Sequence, residues 1–407
     1  KRRLENHFRQ GQCFVRLKLL FLLAIALLFL ARGGLAAETP DPGTAATDTV
    51  EETKEEPAEP KAWYKNIVPV PVIITEPAIG QGLGIGIGYF HPAKLPETSS
   101  LGPVETPETV INANQAPKPP PTVTGVFGGA TSNGTWAAGV GHMNTFRNDT
   151  IRFLGAAGYA NVITDFYVLD QPFEFNLEGV IVYQDVRFRL GKSNWFMGVA
   201  LSYLDATNTF KFKPPESVGV DIDGFFATDF KDVGLKGRLM YDSRDDSMMP
   251  GKGRLFDLSV TRNDQGLGGD YDYTTTELKF LSFHSLNDRF VIGVRAEYAT
   301  VDGDPPFFAI PWVTMRGIPA MRFQGRNVTT AEVEGRYNFS SNWAMIAFYG
   351  RGWTDIYKPD LDTEFRIRAY GTGIRWKALK EQGVWVGLDL ARGPEDTVYY
   401  VQVGHPW

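Results

Sequence analysis

From about residue 67 onward, apolar residues recur at every second position in one segment after another, and this period of two constrains the chain more than any other feature. In 289–302, Phe290, Ile292, Val294, Ala296 and Tyr298 fall on one side, Arg295 and Glu297 on the other. In 327–339, Ala331, Val333, Gly335 and Tyr337 oppose Glu332, Glu334 and Arg336. Sixteen such segments can be read, separated by turn residues: 67–75, 83–91, 122–132, 134–145, 149–162, 174–188, 195–208, 232–243, 252–264, 271–286, 289–302, 327–339, 343–354, 365–379, 383–392 and 397–407. Beyond the first forty residues nothing approaches the roughly twenty consecutive apolar residues of a helical span, so a membrane role must use strands. Strand edges cannot face lipid unpaired, which requires closure. The expectation is an all-β fold, a transmembrane antiparallel β-barrel of sixteen strands filling 67–407, the even count bringing both ends to one side.

A soluble sandwich would alternate in the same way. Two features favour the membrane. Charged rows of mixed sign recur in many segments (Lys236, Arg238, Arg366, Arg368), as a polar lumen requires, and Trp343, Tyr357, Trp376 and Trp385 gather near segment ends, as interfacial girdles do. The 43 glycines, 13% aromatic residues and only 43% hydrophobic residues suit strands with one greasy and one wet face. A net charge of -6 argues against a nucleic-acid partner. Turns at 286–289, 340–342 and 380–382 are short, whereas 209–231, 303–326 and 355–364 are long, which is the asymmetry of outer-membrane barrels. The Pro-rich stretch 92–121 is the exception, a long insertion on the short-turn side whose Pro119, Pro120 and Pro121 exclude a central strand.

Residues 1–37 read as a secretory signal peptide: Lys1, Arg2, Arg3, Arg9, Arg16 and Lys18 precede the apolar run 19–31, and small residues follow at 33–37. An uncleaved anchor is the alternative, but a run of about thirteen is short for a span. The only cysteine, Cys13, lies there, leaving no thiol elsewhere for a disulfide, metal or nucleophile. Residues 38–66, with Glu51, Glu52, Glu55, Glu56 and Glu59 around Lys54, read as an acidic flexible linker, or as an acidic partner-binding tail.

Two further runs carry a resemblance. Tyr241, Asp242, Ser243, Arg244 and Asp245, followed by Met249, Pro250, Gly251, Lys252 and Gly253, resemble the D-x-R-D…P-x-x-G turn of the Omp85 superfamily, the outer-membrane assembly and translocation barrels with a bacterial surface antigen domain. Met315, Arg316, Gly317 and Ile318 resemble that family's V-R-G-F/Y loop, and Glu334, Gly335, Arg336 and Tyr337 its following E-x-R. The resemblance covers about 67–407, with five expected strands after the Arg-Gly loop. It implies that the loop 303–326 folds back into the lumen and that Arg316 meets acids on the inner wall. A guanidinium in a low-dielectric pore needs a carboxylate partner, so the implication is physically sound. The family's usual F-x-D-x-G aspartate is replaced here, since Phe348, Tyr349, Gly350, Arg351 and Gly352 place Gly350 at the acidic position, leaving Glu332 or Glu334 as the nearest partners. The last segment ends with Tyr399, Val401, Val403 and then Trp407, and resembles the C-terminal signal read by the outer-membrane assembly machinery, to which a strand can bind by edge addition.

Other chemistry finds little support. The run 80–86 is Gly-rich without G-x-G-x-x-G spacing, and Asp221, Asp223 and Gly224 break the calcium-loop pattern. His91, His142, His284 and His405 show no metal spacing. Ser282 and His284 share a strand face, but no orienting carboxylate is placed by sequence. No cofactor, metal or enzymatic activity is expected. The reading is a barrel for protein or lipid transport or assembly at the bacterial outer membrane, partnered by outer-membrane lipid, by the assembly machinery and by an unidentified periplasmic partner or client. About thirty residues before the first strand are too few for a client-gathering periplasmic domain. A passive small-solute channel and a surface interaction barrel are the alternatives.

Overall fold

A computed structural model describes residues 67–76, 78–91, 122–168, 171–210, 227–246, 249–355, 364–379 and 384–407. The expected signal peptide, acidic linker and Pro-rich insertion, together with Tyr357, Asp221 to Gly224 and the turn 380–382, lie outside the described residues.

Sixteen strands follow one another: β1 (Ile67–Ile74), β2 (Gly82–Phe90), β3 (Val123–Thr131), β4 (Trp136–Phe146), β5 (Ile151–Val168), β6 (Gln171–Arg189), β7 (Trp195–Phe210), β8 (Ala227–Asp242), β9 (Gly253–Asn263), β10 (Tyr273–Ser285), β11 (Phe290–Gly303), β12 (Asn327–Asn338), β13 (Trp343–Thr354), β14 (Arg366–Leu379), β15 (Val384–Arg392) and β16 (Thr397–Val403). Each pairs with the next, and the ladders are antiparallel throughout. β1 and β16 lie side by side, but no ladder joins them among the described residues. The result is a nearly closed sixteen-stranded barrel with one seam. Strands β5 to β8 are longer than the alternation suggested, rising beyond the greasy belt toward the long-loop end.

The alternation is strictest in β13, where Trp343, Met345 and Tyr349 face out and Ala344, Ile346 and Phe348 face in. Exposed Leu83, Ile85, Val199, Leu235, Leu388 and Leu390 continue the outer belt. In water each such side chain would forgo about 1.5–3 kcal/mol of burial, whereas lipid solvates them. Aromatic pairs mark the belt's limits: Trp343 stacks on Trp376 at 6.1 Å and Phe290 on Tyr337 at 4.6 Å near the short turns, and Trp136 on Tyr159 at 5.6 Å near the other end.

Inside, two walls differ. On β2, β3 and β4 most inward positions are small (Gly84, Gly86 and Gly88, Gly125 and Gly129, Ala137, Gly139 and Gly141), with Val123, Phe127 and Met143 among them. On β8 to β12, β14 and β15 they carry charge, including Lys236, Arg238, Asp257, Glu277, Lys279, Arg295, Glu297, Glu332, Glu334, Arg336, Arg375 and Asp389. Arg366 and Arg368 are not among them. Tyr370 is exposed and Ile367 and Ala369 are buried, so β14 turns both arginines outward, and its fully buried inward cation is Arg375.

The loop 304–326 enters the lumen from the long-loop end. Phe307, Phe308, Trp312 and Met321 pack there against Phe175, Phe230, Tyr271 and Tyr273, with Ile79, Ala137, Ala160 and Val162 opposite, forming an apolar plug. The C-terminal residues also depart from the expected strand. β16 ends at Val403, Gly404 takes a φ of 76°, and the backbone turns so that His405 and Trp407 are buried in the barrel instead of extending its edge.

Candidate functional site

Deep in the lumen, the loop delivers Arg316 to a set of carboxylates. Its Nη2 donates to Glu334 Oε2 at 2.9 Å and to Glu332 Oε1 at 3.4 Å, and its Nη1 donates to Asp389 Oδ2 at 3.0 Å. The guanidinium lies 3.5 Å over the Phe348 ring. Only 7% of Arg316 is exposed, so charge pairing and stacking replace water almost completely. Period-two alternation on β12 places Glu332, Glu334 and Arg336 inward together, and β15 contributes Asp389 between the outward Leu388 and Leu390.

The acids are shared. Glu332 also accepts from Arg295 Nη1 at 2.5 Å, and Arg295 Nη2 donates to Glu297 at 2.5 Å. Asp389 is held by a fork from Arg375, whose Nη2 donates at 2.9 Å. Three guanidiniums (Arg295, Arg316, Arg375) thus share four carboxylates (Glu297, Glu332, Glu334, Asp389), and Glu297 also pairs with Lys279 at 3.2 Å. His405 Nε2 contacts Glu334 Oε1 at 3.1 Å, and the Trp407 backbone N–H points at His405 Nδ1 at 3.4 Å. A donating Nε2 and an accepting Nδ1 describe a neutral imidazole, consistent with burial pushing His405 below its ordinary value.

Gly350 leaves the room that Glu332 occupies. It faces Glu332 across the β12–β13 ladder, and a Cβ there would come within 2.6 Å of the Glu332 side chain and 2.8 Å of Met315 Sδ. A side chain on β13 at this position would have to displace those of Glu332 and Met315. Gly317, at φ 86°, makes the loop's tight bend, and its N–H donates to Tyr400 Oη at 2.9 Å.

The other motif lies at the short-turn end. Arg244 forks onto Asp242, Nε to Oδ1 at 2.9 Å and Nη2 to Oδ2 at 3.2 Å. Asp245 Oδ1 accepts from the Gly251 and Lys252 N–H groups at 3.0 and 3.1 Å. Gly253 has a φ of 101° and a Cβ there would stand 2.7 Å from Arg244 Cα, so glycine is required. This self-bonded turn meets β12 through Arg336, whose Nη2 donates to the Pro250 carbonyl at 2.9 Å. One strand therefore holds the loop from one end and the turn from the other.

The loop also spans the seam. Ala320 N–H donates to Glu76 Oε1 at 3.1 Å, in the turn after β1, while Arg322 Nε donates to Glu395 Oε1 at 2.8 Å, in the turn before β16. Burial raises the Glu76 carboxyl above its ordinary value.

Sequence reasoning placed Arg316, Glu332, Glu334 and Arg336 in one lumen region, and the structure brings them together. It missed Asp389, Arg375 and His405, and had Arg295 only as a charge on the polar face of its strand. The available signal for Asp389 was a lone carboxylate on the inward row of an otherwise apolar strand. Trp407 was expected on a strand edge and instead lies 6.0 Å from the Arg316 guanidinium. Ser282 Oγ and His284 Nε2 are 3.0 Å apart, but the register opposite Val294 and Ile292 turns both outward, and no carboxylate bonds His284 among the described residues. No cluster with metal-ligand character occurs among the described residues.

A seamed sixteen-stranded barrel, greasy outside and charged within, with a loop carrying an arginine tied to the inner wall, defines a plugged outer-membrane β-barrel. The chain carries, at residues 200–307, a match to the Omp85 superfamily domain. In fold it is similar to BamA from Haemophilus ducreyi lacking POTRA domains 1-3 (TM-score 0.54, 13% identity, covering 83% of this chain and 70% of that one). It is similar too to CdiB from Escherichia coli (0.55, 11%, 86% and 64%) and CdiB from Acinetobacter baumannii (0.50, 10%, 83% and 59%). The chain thus spans less than two thirds of either CdiB chain. No curated protein sequence matches it.

Proposed function

We propose that this barrel assists the transport or assembly of a protein or lipid client at the outer membrane and rests in a closed state, with loop 304–326 as its removable plug. The observation that carries this reading is the position of the loop. Its centre is fixed by Arg316 to β12 and β15, and its flank spans β1 and β16, which share no ladder. Releasing it would free both the lumen and an unpaired strand edge, and an open edge accepts another strand by backbone pairing. A passive channel is the second reading. The apolar plug disfavours it, because Phe307, Phe308 and Trp312 fill the lumen where an ion would pass.

Planar bilayers separate the two. The purified wild-type barrel should conduct little, and Arg316→Ala should conduct steadily. Deleting the gene should change the protein or lipid content of the outer membrane. A large steady wild-type conductance together with an unaltered outer membrane would favour the channel.

A further inference from the structure

The outward face near the long-loop end of β13 to β15 carries three arginines that no carboxylate answers among the described residues. Arg351 and Arg368 are direct cross-strand partners, and both are exposed. Arg392 is paired with Tyr370, two residues along β14 from Arg368, and so lies diagonal to it on the same outward face. Direct partners have Cβ atoms about 4.5–5.5 Å apart, and like charges placed so repel. Of the nearby acids, Glu364 takes Arg366 at 2.8 Å and Glu395 takes Arg322. Among the described residues no carboxylate pairs with Arg351, Arg368 or Arg392. Their recorded acceptors are neutral: Tyr349 Oη accepts from Arg351 Nε at 2.9 Å, and Thr397 Oγ1 accepts from Arg392 Nη1 at 3.1 Å.

The level of the cluster identifies what could compensate it. Tyr349, Trp353, Tyr370 and Tyr399 flank it, all exposed, and Leu388 and Leu390 lie further in on the same surface. Aromatics bordering aliphatics mark the membrane interface, and the long loops mark the outward leaflet. Phosphates of lipid headgroups stand at that depth, and guanidinium forks match them bidentately.

We propose that Arg351, Arg368 and Arg392 form a binding site for a phosphorylated lipid headgroup in the leaflet at the long-loop end. The lipid phosphate would neutralise a repulsion that the described residues leave standing, and its acyl chains would lie on the Leu388 and Leu390 surface.

The test uses the full chain in nanodiscs of a zwitterionic phospholipid, titrated with a diphosphorylated glycolipid, lipid A, and with the same lipid stripped of its phosphates. The phosphorylated form should bind preferentially. R351Q with R368Q should weaken it by about tenfold or more, as loss of charge-assisted hydrogen bonds implies. In lipid-free micelles the same double variant should be as heat-stable as wild type or more so, since repulsion is relieved. A merely structural role for the arginines would lower that stability. The proposal fails if the stripped lipid binds equally well, if the double variant binds unchanged or is destabilised without lipid, or if millimolar inorganic phosphate displaces the lipid, which would mark a free-anion site.

Discussion

The two inner walls meet the same demand outside and opposite demands inside. β2, β3 and β4 present Leu83, Ile85, Val126 and Val140 to lipid, just as β11 to β15 present Val294, Val333 and Leu388. Inward, the first wall is mostly glycine and alanine around Val123, Phe127 and Met143, and the second is a lattice of ion pairs. The difference lies in what rests on each. The charged wall grips a guanidinium that would be costly if unpaired. The small wall leaves the volume that bulky neighbours use: a Cβ on Gly139 would come within 2.5 Å of the Phe127 ring, and Ala137 and Ala160 border the aromatic plug. In this lumen, affinity is concentrated on one side and room on the other.

The largest expected effect comes from breaking the charged wall. Arg316→Ala should cost about 3–5 kcal/mol, because buried Glu334 keeps only the neutral His405 beside it and Asp389 keeps only Arg375. Guanidinium-induced unfolding in micelles, with protease sensitivity at 304–326, measures it, and an unchanged midpoint would remove Arg316 from its role. Exchanging Arg316→Glu with Glu334→Arg should recover little, since the new glutamate would still face Glu332 and Asp389.

The small wall should respond to size alone. Gly139→Leu should cost about 1–3 kcal/mol by overpacking against Phe127. Conductance should stay low, because the plug remains tied on the opposite side. A conducting Gly139→Leu barrel would mean that the plug depends on both walls.

A smaller effect depends on pH. Burial holds His405 below its ordinary value, so unfolding takes up a proton once the pH falls below about 6.5. Stability should therefore be full above that value and decline on acidification, and His405→Gln should flatten the decline. Unfolding midpoints between pH 5 and 8 test this.

The smallest effect belongs to the lipid face. Gly335 has open space where a Cβ would go, so Gly335→Ala should change stability by no more than about 0.5 kcal/mol. A larger loss would show that β12 is constrained on both faces.

The strands were legible because lipid outside and a wet lumen inside impose the same period on every segment, and β13 was read to the residue. The face of β14 was misread, because a charge on an alternating strand can answer either to a lumen or to headgroups, and Arg368 alone does not distinguish them. Asp389 escaped because its partnership with Arg316 exists only once the sheet has curled round. The inward turn at Gly404 was hidden by an apparent continuation, since Tyr399, Val401 and Val403 keep their alternation up to the bend.

The Glu76 carboxylate and the Ala320 amide it receives are 244 positions apart, and Arg316 and Asp389 are 73 apart. Contacts of such range come late, after much of the loop-closure entropy has been spent. β1 emerges early, yet its neighbour across the seam is the final strand, so it must wait with one edge open while the other fifteen are laid down. The anchorage of loop 304–326 must come late as well, because it needs Glu76 beside β1 together with Asp389 and Glu395 near the last strand. Barrel formation should thus be slow, ordered and exposed to aggregation through the waiting edge, and a kinetic trap is expected wherever the seam closes before the loop has found its place.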